Sequence, residues 1–105
     1  WQMQQVESDG QVTTVDTIYF NFQNTLFMYQ IYSPKSDSFR SEYGFNNMPD
    51  NNSIVIELTD NPVPVASFLP FTDWTEATRH YSVEKVDRKQ LILKADNKKY
   101  TFRKF

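Results

Sequence analysis

The sequence predicts an all-β domain, either a small antiparallel barrel or a sandwich. The first observation is alternation: Ile18, Phe20 and Phe22, for example, are separated by more polar residues. Successive side chains of a strand point to opposite faces, so this period of two is typical of strands with one buried face. The second observation is that most of these runs are separated by two to five residues, which favours a meander of neighbouring antiparallel strands. The third is a 16% aromatic content in 105 residues, enough to build the core of one domain without disulfides, since cysteine is absent.

Eight alternating runs make up the predicted strands, at residues 1–7, 14–23, 26–33, 39–47, 53–59, 80–86, 90–95 and 99–105. Turn-forming residues separate them. Gly10 ends a Ser-Asp-Gly turn after the first run, Asn24-Thr25 fits a two-residue hairpin, and Pro34 and Pro49 follow the third and fourth runs. In the sixth run the alternation slips by one residue at Lys85-Val86, which predicts a β-bulge.

The connection between the fifth and sixth runs is about twenty residues long, which is unusual in a compact domain. It is rich in proline and apolar residues. We expect it to be either a plug over one barrel end or sheet edge, or a lid or partner contact formed by Phe68, Leu69 and Phe71. Asp73 and Glu76 have the spacing of a capping box, which predicts one short helical turn near residues 73–78.

The second and third runs are apolar on both faces. Continued alternation places four residues inside: Phe20, Phe22, Leu26 and Met28. It places four on the opposite face: Tyr19, Phe27, Tyr29 and Ile31. Such strands need cover on both sides, which the proline-rich connection, a homodimer or a protein partner would supply, unless the rings are simply exposed. In the fourth run the same reasoning turns Phe39, Tyr43 and Phe45 inward and Glu42 outward.

No catalytic arrangement is found. Gly10 and Gly44 stand alone, so a phosphate-binding glycine loop is excluded. His80, the single histidine, falls on the outward side of its strand, and the acidic residues fall in turns or alternate with inward apolar residues. We therefore expect no enzyme activity, no metal site and no cofactor.

The charge pattern bears on partners and location. The net charge is −2 and no coherent basic stripe is present, which argues against nucleic-acid binding. No apolar run approaches the roughly 20 residues of a transmembrane helix. The chain begins at Trp1 rather than methionine, and we expect that an upstream segment, which could have held a signal peptide, was removed.

Both ends of the chain carry a family resemblance. Trp1 on the first strand, Arg103 on the last strand, and a closing hairpin of Leu91-Ile92-Leu93 and residues 100–105 resemble the lipocalin and calycin group. More narrowly, the chain is similar to the lipocalin-like domains of cell-envelope proteins of Bacteroidetes. The resemblance implies one domain over residues 1–105, an eight-stranded antiparallel up-and-down barrel, and a Trp1–Arg103 contact that closes one end. It also implies a place in the cell envelope, periplasmic or at the surface, with a lipid anchor in the missing N-terminal segment.

Two functions remain open from the sequence. The first is a non-enzymatic binding domain, a carrier or sensor of a small apolar or amphipathic ligand held in the barrel mouth. Its candidate ligand-binding residues are Phe20, Phe22, Met28, Gln30, Tyr43 and Tyr81. The second is a protein-interaction or structural module of the cell envelope with a barrel filled by side chains. Its surface would combine the outward residues of the second and third runs with the stretch from Phe68 to Phe71.

Overall fold

The computed structural model describes residues 1–105. It contains nine strands: β1 (Gln2–Ser8), β2 (Gln11–Thr14), β3 (Ile18–Gln23), β4 (Leu26–Ser33), β5 (Ser38–Asp50), β6 (Ser53–Leu58), β7 (Thr78–Val86), β8 (Gln90–Ala95) and β9 (Lys98–Arg103). One short helix, α1 (Val65–Phe68), continues into a 3₁₀ turn, Leu69–Phe71. The chain contains no helix with the length and apolar character needed to cross a membrane.

Eight of the strands form a closed antiparallel barrel. Each strand from β3 to β9 pairs with the next, and β1 closes the ring by pairing with β3 on one side and β9 on the other. Closure leaves none of these strands with a free edge. The remaining strand, β2, pairs only with β1 as the return of a hairpin. The predicted eight-stranded up-and-down barrel is confirmed.

Tight turns connect β3 to β4 and β8 to β9 where the sequence predicts them, whereas Pro49 lies within β5 rather than in a turn. Asn24-Thr25 joins β3 to β4, and Asn24 adopts a left-handed φ of 55°. Asp96 and Asn97 both have positive φ in the β8–β9 turn, as a type I′ hairpin requires. The predicted bulge in the sixth run is also confirmed, because the β7–β8 register shifts between Val83 and Lys85.

The core occupies the inside of the barrel. Alternate residues of β6, β8 and β9 face inward, and Ile56, Leu93 and Phe102 are almost completely buried. Phe20 lies at the centre, with its ring centre 4.9 Å from those of both Tyr29 and Phe102. At roughly 25 cal/mol per Å² of apolar surface, burial of this ring cluster is the main stabilising contribution to the fold.

The predicted facing of β4 is wrong. Phe27 and Tyr29 are 2% and 1% exposed, whereas Leu26 is 53% exposed. The register explains this, because Phe27 pairs with Phe22 and Tyr29 with Phe20, and directly paired residues share a face. A two-residue turn therefore reverses the parity of the inward positions, so the even-numbered inward series of β3 continues as an odd-numbered series on β4.

The error carries over to β5. Glu42 pairs with Tyr29 and lies fully buried inside, whereas Phe39, Tyr43 and Phe45 are about half exposed on the outside. Gly44 is also inward, and a Cβ there would lie 2.2 Å from the carbonyl oxygen of Glu57. Only glycine permits this close approach of β5 to β6.

The long connection between β6 and β7 closes one end of the barrel, in agreement with the plug interpretation. Phe68 is completely buried and Trp74 is 4% exposed. The helical turn exists but lies at residues 65–71 rather than near 73–78. Asp73 does not cap a helix because its carboxylate binds Arg79 and Tyr100 instead.

Candidate binding site at the barrel mouth

The two ends of the barrel differ in how they are filled. At the closed end, under the long connection, aromatic rings and a polar network occupy the lumen. Arg79 donates hydrogen bonds to Asp73 Oδ1 (2.8 Å) and to the Tyr100 hydroxyl (2.8 Å), and that hydroxyl donates to Asp73 Oδ2. Trp74 Nε1 donates to the Tyr81 hydroxyl at 3.0 Å. These side chains and the rings around them occupy the closed end of the lumen.

The tyrosines of the closed end are structural hydrogen-bonding groups. Burial raises the pKa of Tyr29, Tyr81 and Tyr100, in each case as the largest cause. For Tyr100, the hydrogen bond to Asp73 raises the pKa further. These phenols therefore stay protonated at neutral pH and are unsuited to act as general bases.

An apolar cavity of about 280 Å³ lies at the opposite end, which we call the mouth. Eight of its ten lining residues are hydrophobic and none has a charged side chain: Trp1, Phe22, Asn24, Asn46, Met48, Ile54, Val83, Val86, Leu91 and Leu93. The mouth is open to solvent, since Met48 and Val86 on its rim are 51% and 60% exposed. A site this apolar suits a ligand bound mainly by burial.

The polar edge of the mouth is an asparagine held in a fixed orientation. Asn46 Nδ2 donates to the backbone carbonyl oxygens of Asn24 (3.0 Å) and Leu26 (2.9 Å). Both partners are hydrogen-bond acceptors, so the atom of the side-chain amide that faces them must be the nitrogen. The Asn46 Oδ1 atom remains available as an acceptor at the rim for a hydroxyl or N–H of a ligand.

The six residues predicted to bind a ligand are spread over three environments. Phe22 lines the mouth, while Phe20 and Tyr81 are buried in the core. Met28, Gln30 and Tyr43 lie on the outer face of the barrel, contrary to the inward orientation predicted for them. Gln30 Oε1 accepts a 2.8 Å hydrogen bond from Asn21 there.

The predicted closing contact is made by a different basic residue. Lys104 Nζ lies 5.0 Å from the centre of the Trp1 ring, a cation–π distance. Arg103 instead donates from Nε to Gln2 Oε1 at 3.1 Å. Trp1 and a terminal basic residue do pack together, one position later than the resemblance implied.

The residues predicted to form a lid or interface are also divided. Phe27, Tyr29 and Phe68 are buried, and the half-buried Ile31 and Leu69 pack against the core. Phe27, Tyr29 and Phe68 are therefore not accessible to a partner. Tyr19 is half buried on the outer face against Phe39 and Phe105, and Phe71 is 52% exposed.

Several mouth residues were not identified from the sequence. Ile54, Val83, Leu91 and Leu93 line the mouth, and the sequence did not indicate that they belong to one site. The order of the strands could have indicated that these residues lie together. Neighbouring strands run in opposite directions, so the end of β7 and the start of β8 meet at the same rim.

The fold and the filled aromatic core define the class of protein as a small lipocalin-like β-barrel. A family model described as a lipocalin-like domain matches residues 1–105, so the chain belongs to that family. A barrel of this family is generally a binding fold rather than a catalytic one. No group of three or more His, Asp or Glu side chains is placed to hold a metal ion.

Two solved structures are similar over the whole chain. An uncharacterized protein from Bacteroides eggerthii DSM 20697 has 29% sequence identity and a TM-score of 0.85, over 100% of this chain and 96% of that one. A lipocalin-like protein from Bacteroides uniformis ATCC 8492 has 26% identity and a TM-score of 0.83, over 100% of this chain and 94% of that one. No curated protein matches the chain.

Proposed function

We propose that this domain is a non-enzymatic carrier or sensor that binds a small, neutral, apolar ligand in the mouth of the barrel. The observation that supports the proposal is the mouth cavity of about 280 Å³, open to solvent and lined without a charged side chain. A dry apolar cavity of about 150 Å³ is enough to bind benzene. The mouth therefore has room for roughly two fused rings or a short aliphatic chain.

The ligand class follows from the lining. An ionised ligand would lose hydration in the mouth, and no lining residue has a charged side chain to compensate it, so a neutral molecule is favoured. The free acceptor on Asn46 adds a preference for one hydroxyl or N–H at the outer end of the ligand. A suitable probe is 2-naphthylmethanol, which combines a two-ring apolar body with one hydroxyl group.

A substitution that fills the mouth tests the proposal. Val83 is half buried and lines the mouth, and Val83→Phe would occupy part of its volume. We expect calorimetric titration to show 2-naphthylmethanol binding at least tenfold more weakly to this variant. The matched control is Val12→Phe, the same change at a 55% exposed position on β2, away from the mouth. Equal affinity in the two folded variants would sink the proposal.

A second function has its own supporting observation, an exposed patch on the outside of β4 and β5. This outer apolar patch consists of Leu26, Met28, Tyr43 and Phe45, which face each other as Leu26–Phe45 and Met28–Tyr43 pairs. Leu26, Tyr43 and Phe45 are each about half exposed. Adjacent exposed apolar residues of this kind favour protein association, here through a second copy of the chain.

Sedimentation velocity at increasing protein concentration tests this second function. Self-association that Phe45→Ser abolishes and Phe71→Ser does not would support it. A protein that stays monomeric at all concentrations up to about 0.5 mM would argue against it, because an interface of standard size has a dissociation constant below that value.

The cell-envelope location stays a prediction from the family resemblance. Fractionation of cells that produce the full-length protein, with detection in membrane, periplasmic and cytoplasmic fractions, tests it. Recovery from the cytoplasmic fraction alone would contradict it.

A further inference from the structure

A second concave surface lies at the closed end, outside the lumen. It is a groove of about 760 Å³ between the β4–β5 hairpin and residues 62–71 of the long connection, and we call it the hairpin groove. Its lining includes two basic residues, Lys35 and Arg40, and no acidic residue. Its charge thus differs from that of the neutral mouth.

Arg40 is held in place without neutralisation of its charge. The guanidinium carbon lies 3.6 Å from the centre of the Phe71 ring, within cation–π distance. Arg40 takes part in none of the ion pairs of the chain, which involve Arg79, Lys85 and Lys98. A guanidinium stacked by its face keeps its N–H edge available, and that edge matches a carboxylate in a bidentate geometry.

The acidic residues nearest in sequence are not paired with Arg40, although both bind residues that line the groove, Tyr32 and Val63. Asp37, at the hairpin tip, accepts a 2.6 Å hydrogen bond from the Tyr32 hydroxyl. Glu42 follows Arg40 by two positions on the same strand but is fully buried, and its Oε1 accepts from the Val63 backbone amide at 3.3 Å. Neither carboxylate lines the groove.

The rest of the lining defines the body of a ligand. Ile31, Val63 and Phe71 supply apolar surface, and Ser33 and Ser67 supply hydroxyls. We propose that the hairpin groove is a second binding site, specific for an aromatic carboxylate whose ring packs on the apolar surface while its carboxylate pairs with Arg40. This site is separate from the mouth and goes beyond the function proposed above.

Two probes with the same ring test the proposal. Titration of ¹⁵N-labelled protein with 2-naphthoate is expected to shift backbone signals of residues 33–41 and 62–71. The neutral 2-naphthylmethanol is expected to affect this groove at least tenfold more weakly. Shifts located at the mouth report on the first proposal and shifts at the hairpin on the second, so one can fail without the other.

Charge variants complete the experiment. Arg40→Gln is expected to weaken 2-naphthoate binding at least tenfold, and Arg40→Lys, which keeps the charge but not the planar donor edge, to weaken it less. The control is Arg88→Gln, the same change in net charge at an exposed turn between β7 and β8. The proposal is overturned if Arg40→Gln behaves like Arg88→Gln, if the neutral probe binds the groove equally well, or if 2-naphthoate leaves residues 33–41 unshifted.

Discussion

Glu42 and Arg79 are the two buried charged side chains of the barrel, and their surroundings differ. Arg79 is 7% exposed and binds Asp73 and Tyr100. Glu42 is 0% exposed, and while its Oε1 accepts one long hydrogen bond, its Oε2 has no partner. A buried polar atom without a partner costs stability, and the cost is larger for an ionised group.

Glu42 should therefore make the fold more stable at low pH. Burial raises its pKa above the usual 4.5, the Val63 amide opposes this shift, and Asp60 adds to it. Below pH 4.5 the carboxyl is neutral in both the folded and the unfolded chain. As pH rises, the unfolded chain ionises first, and the stability that the neutral carboxyl provides is lost as pH passes through the raised pKa of the folded state.

The substitution Glu42→Gln tests this linkage. At pH 8 the variant should be more stable than the natural chain by about 1 kcal/mol or more, because no charge is buried. At pH 4 the difference should disappear. Urea unfolding at both pH values measures the free energies. Glu57→Gln, at an exposed glutamate on β6, should show no such pH-dependent gain, and a gain equal to that of Glu42→Gln would refute the assignment.

Asp73 should stabilise the closed end through Arg79. Asp73→Asn removes the charge that faces the buried guanidinium, and we expect a loss of about 2 kcal/mol, below the value for a fully buried pair because the Asp73 side chain is 35% exposed. Asp96→Asn removes a 3.3 Å contact with the same arginine from an 81% exposed side chain. It should change stability by less than about 0.5 kcal/mol. Urea unfolding that gave the two variants similar losses would contradict this ranking.

At the scale of elements, the eight barrel strands were predictable, whereas the ninth strand, β2, and the facing of β4 and β5 were not. Alternation identified β4 and β5, and the Asn24-Thr25 turn was predicted. The prediction kept even-numbered residues inward on β4, whereas the two-residue turn makes the odd-numbered residues face inward. The pairing of Phe22 with Phe27 shows the reversal directly. Because β4 is apolar on both faces, its composition could not correct the error, whereas β6 and β8 have one clearly apolar face each.

The short helix shows a different limit. The Asp73–Glu76 spacing satisfied a capping pattern, yet a capping residue is useful only when its carboxylate is free to accept backbone amides. Asp73 instead binds Arg79, six residues along the chain, and Tyr100 on β9. The contact between Asp73 and Tyr100 spans 27 residues and depends on how the long connection packs against β9, which no local pattern reveals.

The long connection should contribute to stability through one ring in particular. Phe68→Ala removes a completely buried side chain and should cost about 3–5 kcal/mol. Phe71→Ala, three residues later, removes a half-exposed ring whose contact with Arg40 is worth about 1 kcal/mol or less. Thermal or urea unfolding of both variants measures the difference. Equal losses would mean that the connection does not plug the barrel as described.

At the scale of the whole molecule, the barrel has one filled end and one open end. Aromatic rings and the Arg79 network fill the lumen from the centre to the long connection, while the mouth keeps an apolar cavity. The sequence left open whether the barrel is filled or has a cavity, because it shows which aromatic rings are present but not their positions along the barrel axis. Strand register decides these positions. It pairs Tyr81 with Ile54 and Val83 with Leu93, so that the Tyr81 ring lies deep in the core while Val83 lines the mouth.

The location of a neutral apolar molecule on the folded chain is the most direct test of this description. We would titrate ¹⁵N-labelled protein with 2-naphthylmethanol and follow the backbone amide signals. Saturable shifts at Phe22, Asn46, Ile54, Val83 and Leu91, absent in Val83→Phe, are the predicted result. Saturable shifts confined to the outer face of β4 and β5, or no saturable shift at the mouth up to the solubility limit of the probe, would contradict it.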